Sequence, residues 1–148
     1  IRRGDLIEWA ENYGKLYGTS REAMEEALRG NDLLLDVDTR GARALKKAWP
    51  GGLFVFIVPP SIEELERRLR DRGSETEETI RRRFDNAVRE IREIVWYDYI
   101  IVNDELDAAI DRLRAVYLAQ TCRRERMMEK IKPFFDRSGG VEYGKSDR

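Results

Sequence analysis

The stretch "LFVFIVPPSIEELERRLR" (residues 53–70) decides the fold, because it predicts a buried strand followed directly by a helix. The apolar run at 53–58 lacks the alternation of a half-exposed strand, which indicates burial on both faces. Two prolines end the run, and Ser61 and Glu64 then form a capping box at the start of a helix. A strand that leads into a helix is the repeating unit of a parallel α/β sheet.

Two further apolar runs extend this pattern. The stretches "NDLLLDVD" (31–38) and "YDYIIVND" (97–104) also predict buried strands, and helical patterns separate the three runs. The predicted fold class is therefore α/β, with a parallel sheet and flanking helices. Ligands of such sheets bind beyond the carboxyl ends of the strands, where Asp36, Asp38 and Asn103 are expected to lie.

The composition excludes several classes of function. The chain has 148 residues and a net charge of −1, which argues against a general nucleic-acid or membrane surface. It has no histidine, so a His-based triad or a His-ligated metal is impossible. The single cysteine, Cys122, cannot form an internal disulfide, which favours a location in the reducing cytoplasm. The longest apolar run is too short to span a bilayer.

The first eighteen residues fit two structures equally well. Asp5 and Glu8 resemble a capping box, which would begin a helix. Alternating apolar residues over 6–10, followed by "NYGK", would instead form a β-hairpin. The residue pattern leaves both alternatives open.

Four polar residues have the chemistry to recognise a guanine nucleotide. Carboxylates such as Glu8 and Asp38 can accept from the N1–H and N2–H donors of guanine, and the hydroxyl of Thr19 can donate to O6. The hydroxyl of Tyr17 can reach a phosphate oxygen. Residue types alone favour a simpler interpretation, in which Thr19 and Asp38 only cap the helices that follow them.

Four consecutive blocks of the chain resemble the guanylate kinase family. These are "DLIEWAENYGKLYGTSREAMEEAL", "LLLDVDTRGARALKK", "VFIVPPSIEELERRLRDRGSETEETIRRRF" and "YDYIIVNDELDAAIDRL", and the resemblance covers about residues 4–116. It implies that the first residues form a small β subdomain that binds GMP, with Glu8, Thr19 and Asp38 at the base and Tyr17 at the phosphate. Arg40 departs from the glutamine that is usual in the family, which puts local loop contacts in doubt.

The resemblance also gives a role to the arginine-rich stretch "ERRLRDRGSETEETIRRR" (66–83). It implies that Arg68 and Arg72 belong to a helical lid and its hinge and that Arg83 lies at the start of the following helix. These three residues, here called the lid arginines, are expected to act in catalysis. Arginine suits this task because its planar fork of donors matches phosphate geometry. The alternative is that Glu64 and Arg68, four residues apart, simply pair on a solvated helix face.

Two further residues receive roles from the resemblance. Asp36 is expected to support Mg²⁺ and the phosphates through water. Asn103 is expected near the adenine of ATP, and capping of the next helix is the alternative.

The chain begins with Ile1, and only seven residues precede Glu8. The glycine-rich phosphate loop of the family is therefore expected to be missing, and the chain alone is expected to be inactive. The one match to that loop's pattern, "GGVEYGKS" (139–146), is rejected because no strand precedes it and no helix follows it. The predicted organisation is a GMP subdomain (1–18), a core segment (19–60), the lid region (61–83), a second core segment (84–130) and a mobile tail (131–148).

The sequence thus predicts a cytoplasmic guanylate kinase that phosphorylates GMP with ATP and Mg²⁺. The alternative is a non-catalytic module of the same family that binds protein partners. Such modules tend to lose the GMP acids or the lid arginines, and this sequence keeps both sets. A kinase for a different nucleoside monophosphate is disfavoured, because Glu8 and Asp38 suit the donors of guanine.

Overall fold

The computed structural model describes residues 6–12, 15–71 and 76–137. The chain divides into two compact units, residues 1–102 and 103–148. In chain order the elements are β1 (Leu6–Asn12), β2 (Lys15–Ser20), α1 (Arg21–Ala27), α2 (Thr39–Ala48), β3 (Val55–Val58), α3 (Ile62–Asp71), α4 (Glu77–Ile91), a 3₁₀ helix (Arg92–Trp96), β4 (Tyr99–Val102), α5 (Leu106–Thr121) and α6 (Arg124–Arg137).

The first element is a β-hairpin and not a helix. Strands β1 and β2 are antiparallel, and Glu8 is the register partner of Thr19. The register shifts between Leu6 and Glu8, as at a β-bulge. Strand β2 ends at Ser20, and Ser20 is the N-cap of α1: its Oγ accepts from the Ala23 N–H at 3.4 Å. The prediction of a small β structure is therefore confirmed, and the interpretation of Thr19 as the helix cap is wrong.

The first unit contains the predicted parallel pair, but its strands are not buried on both faces as the sequence predicted: Ile101 is 3% exposed, whereas Ile57 is 52% and Ile100 53% exposed. Strands β3 and β4 run side by side, with Val55 opposite Tyr99 and Val58 opposite Val102. Helices α3 and α4 and the 3₁₀ helix come between these strands in the sequence, as an α/β fold requires. The predicted fold class is confirmed.

The third predicted strand, at 31–38, is wrong. Residues 32–38 have no regular secondary structure, because no described strand pairs with their backbone. The segment still separates its side chains by face: Leu35 and Val37 pack on the core, whereas Leu34 is 83% exposed. Apolar composition indicated a strand, but a strand also needs a neighbour for its N–H and C=O groups.

Asp98 ties the start of β3 to the segment before β4. Its Oδ2 accepts from the Phe54 N–H at 2.8 Å, and its own N–H donates to the Phe54 carbonyl at 2.9 Å. The ammonium of Lys46 on α2 bridges the Asp98 carboxylate at 3.3 Å and the Trp96 carbonyl at 2.9 Å. Phe54 belongs to the buried cluster of this unit, so Asp98 fixes a core residue.

We expect Asp98→Ala in the intact protein to lower the free energy of unfolding by about 1–3 kcal/mol, because the partly buried Phe54 N–H loses its acceptor. Urea unfolding followed by circular dichroism measures the change. The control is Asp111→Ala, whose exposed pair with Arg114 contributes at most about 1 kcal/mol. Equal losses in the two variants would contradict the role given to Asp98.

The described part of the second unit, residues 103–137, contains two helices, and the second extends into the predicted tail. Residues 131–137, assigned to a mobile tail, continue α6, and Pro133 lies inside this helix. Met127, Ile131 and Phe135 are four residues apart and partly buried, so the apolar period of the helix runs past residue 130. In the described part of the chain, no helix is long and apolar enough to cross a membrane.

Candidate functional site

An open cleft of about 700 Å³ lies between α2 and the segment formed by α4 and the 3₁₀ helix. Four cations and two carboxylates line it, so the cleft carries an excess of positive charge: Arg40, Arg43, Lys47 and Arg89 against Glu90 and Glu93. A cleft with both signs of charge can hold a ligand that has an anionic group and hydrogen-bond donors.

Asp38 stands at the N-terminus of α2, next to Thr39 of the cleft wall. Its Oδ1 accepts from the Gly41 N–H at 2.8 Å, so the capping role considered from the sequence is confirmed. Its Oδ2 is 3.4 Å from Nη2 of Arg40, the residue that departs from the family pattern. A carboxylate has about four acceptor sites, so capping leaves Asp38 the capacity to bind a ligand.

Two more ionisable groups lie in the electrostatic surroundings of Asp38. Partial burial raises the pKa of Glu90, the negative charge of Asp38 raises it further, and Arg40 opposes the change. Burial likewise raises the pKa of Tyr97, with contributions from Glu90 and Asp38. Sequence reasoning missed Glu90. The available signal was its position on α4, seven residues after Arg83 and on the same face of the helix.

The other predicted GMP residues lie on the β-hairpin. Its backbone register makes Glu8 and Thr19 partners and sets Tyr17 opposite Ala10. Helix α2, which begins after Asp38, lies against β1. The fold thus brings the backbone that carries Glu8 and Thr19 close to the helix that Asp38 caps. Their contacts with GMP stay a prediction.

The lid arginines differ in their surroundings. On α3, Arg68 Nε donates to Glu64 Oε1 at 2.6 Å, so the pairing considered as an alternative does occur. Hydrogen bonds from Arg67 and Arg68 lower the pKa of Glu64 to about 2 and keep it ionised at neutral pH. Arg83 is partly buried on α4, which lies beside α3. Arg72 lies outside the described residues.

The ligand-binding roles expected for Asp36 and Asn103 stay predictions. Asp36 is exposed, and among the described residues no three acidic or sulfur side chains cluster as a metal cage would require. Mg²⁺ in kinases is held by one or two carboxylates together with substrate phosphates, so a single Asp36 still fits the expected chemistry. Asn103 belongs to the second unit, and Glu105 occupies the N-cap of α5 in its place.

The segment "GGVEYGKS" also falls outside the described part of the chain. Its rejection as a phosphate loop stays a prediction.

The fold has a close structural counterpart. The crystal structure of guanylate kinase from Anaplasma phagocytophilum matches with a TM-score of 0.70 and 30% sequence identity, over 90% of this chain and 67% of that one. The chain therefore has, in part, the fold of the P-loop kinases, to which the parallel pair, the hairpin and the helices around the cleft belong.

Sequence comparisons narrow this class. The guanylate kinase family model matches residues 1–120. The guanylate kinase of Syntrophotalea carbinolica is 49% identical over 137 residues, which are 92% of this chain and 65% of that protein. That of Geobacter metallireducens is 48% identical over 92% of this chain and 68% of its own length. The chain belongs to the guanylate kinase family and spans about two thirds of the length of these relatives.

Proposed function

We propose that the intact protein containing this chain is a cytoplasmic enzyme that transfers the γ-phosphoryl group of ATP to GMP, giving ADP and GDP. The observation that carries the proposal is the cleft between α2 and α4, in which an excess of cations lies beside the Asp38 carboxylate. A nucleoside monophosphate with donor groups on its base complements both features. Family membership supports the same reaction, and the lone Cys122 agrees with a reducing compartment.

Guanine is selected by acceptors placed at its donor edge. Asp38 accepts from the N–H groups of the base, with Glu8 as a second acceptor and Thr19 as the donor to O6. Adenine lacks the N1–H donor and would leave these carboxylates unpaired. Unpaired polar groups in a site disfavour the wrong substrate by several orders of magnitude, which is the physical basis of the proposed base preference.

Phosphoryl transfer in this site is a matter of positioning and charge. A phosphate oxygen of GMP, which Tyr17 helps to hold, attacks the γ-phosphorus, and the bond to the β–γ bridging oxygen breaks as ADP leaves. Arg68, Arg72 and Arg83 neutralise the negative charge that spreads over the transferred group. Glu64 contributes by orienting the Arg68 guanidinium through its Nε–H. Asn103 contacts the adenine of ATP.

Asp36 is the residue that would hold Mg²⁺, through water. When bound with ATP, Mg²⁺ neutralises phosphate charge. Asp36 and Asp38 are two residues apart in the segment that precedes α2, and both are exposed.

The test is a coupled assay of nucleoside diphosphate formation by the intact protein, with ATP, Mg²⁺ and either GMP or AMP. We expect GMP to be phosphorylated with a kcat/KM at least about 100-fold above that of AMP, because only guanine satisfies the carboxylates. Absence of GDP formation would exclude the kinase. Equal use of AMP would exclude the proposed base recognition, and no turnover together with no base preference in binding would favour a non-catalytic interaction module.

A further inference from the structure

Glu90 is a carboxylate in the cleft that the proposed mechanism does not yet use. It lies on α4 and borders the cleft together with Thr39 and Arg40 of α2. Its side chain is partly buried, and within the described residues no hydrogen bond or ion pair engages its carboxylate. Glu93, one turn further along, differs because Arg43 and Trp96 both donate to it.

The surroundings of Glu90 favour a ligand that donates hydrogen bonds. Burial and the charge of Asp38 both disfavour its ionised form, as the raised pKa indicates. Arg40 offsets this only in part. A ligand N–H placed between the Glu90 and Asp38 carboxylates would relieve the repulsion and restore the hydrogen bonds that burial removes.

Guanine has more donors than Asp38 is able to satisfy alone. Its donor edge presents N1–H and the exocyclic 2-amino group, whereas one oxygen of Asp38 already accepts from the Gly41 N–H. The 2-amino group distinguishes guanine from hypoxanthine, which keeps N1–H and O6 and lacks only that group. Asp38 and Glu8, the acceptors proposed above, leave one N–H of the 2-amino group for a further acceptor, and such an acceptor on the opposite wall of the cleft would help to separate GMP from IMP.

We propose that Glu90 is a specificity-determining residue of the guanine site, where its carboxylate accepts a hydrogen bond from the 2-amino group of GMP, opposite the first turn of α2 that Asp38 caps. This inference rests on the proposed function. Because Glu90 follows Arg83 by two helical turns on one face of α4, recognition of the base and placement of a lid arginine share one rigid element.

The test compares GMP and IMP binding to the intact protein by calorimetry, in the unmodified protein and in Glu90→Ala and the isosteric Glu90→Gln. We expect Glu90→Ala to weaken GMP binding by about 10- to 100-fold, the effect of losing a hydrogen bond to a charged group. IMP binding should change by less than about threefold, since IMP lacks the donor. Glu90→Gln should have an intermediate effect, because its amide oxygen accepts without a charge.

The control is Glu78→Gln, an exposed carboxylate in the first turn of the same helix, which should leave both affinities unchanged. Equal weakening of GMP and IMP, or no change in either, would overturn the role of Glu90. In both cases GDP formation by the unmodified protein would leave the proposed function standing. If the unmodified protein neither binds nor phosphorylates GMP, both proposals fail together.

Discussion

Replacing Arg83 by alanine in the intact protein is expected to lower kcat for GDP formation by roughly a thousandfold, the scale of a catalytic arginine in phosphoryl transfer. The GMP dissociation constant should change by less than about threefold, because the proposed role of Arg83 is to neutralise charge that develops only in the transition state. Steady-state kinetics and equilibrium binding of GMP measure the two quantities separately.

The contrast between kcat and binding distinguishes catalysis from folding. Arg81→Ala removes an exposed arginine two residues away on the same helix and should retain nearly full activity. Arg83→Lys keeps the charge and loses the planar fork, so its kcat should lie between those of the unmodified protein and Arg83→Ala. A collapse of GMP affinity with turnover preserved would show that Arg83 binds the substrate and does not act on the transferred group.

Elements whose partners are close in sequence could be predicted from the sequence. The serine cap at the start of α3 is an example, since the Ser61 Oγ accepts from the Glu64 N–H at 3.1 Å, although the Glu64 carboxylate binds Arg67 and Arg68 and does not complete the predicted capping box. The prediction for 31–38 failed for the opposite reason. Its apolar residues favour β structure, but a strand forms only where a second backbone supplies hydrogen bonds. The residue pattern at 6–10 fitted either a helix or a strand, and the structure forms a hairpin because these residues pair with β2.

In the candidate site, too, features that depend on local sequence could be predicted, and features that depend on tertiary packing could not. Asp38 was predictable because its sequence position beyond an apolar run fits both a cap and a ligand group, and the capping half is confirmed. Glu90 was not predicted as a site residue. Its proposed role depends on α4 lying across a cleft from α2, and only the tertiary packing of the two helices produces that arrangement. The pairing of Arg68 with Glu64 follows from helical spacing and does not by itself exclude a role at phosphates.

The substitution Asp38→Asn distinguishes the two roles of Asp38, which are to cap α2 and to accept hydrogen bonds from guanine. Asn is as good an N-cap as Asp, so Asp38→Asn should keep the hydrogen bond to the Gly41 N–H and change the free energy of unfolding by less than about 0.5 kcal/mol. Its second atom becomes an NH₂ group, which donates where guanine also donates. We therefore expect kcat/KM for GMP to fall by roughly 100-fold or more, because the site then opposes the donors it should accept.

Thermal unfolding and steady-state kinetics on one preparation test both halves of this expectation. Asp111→Asn makes the same chemical change on the exposed surface of α5 and should alter neither quantity. If Asp38→Asn loses stability and activity together, the capping role alone explains Asp38. If it retains normal GMP turnover, Asp38 does not contact the base, and the guanine specificity must come from Glu8, Thr19 and Glu90 without it.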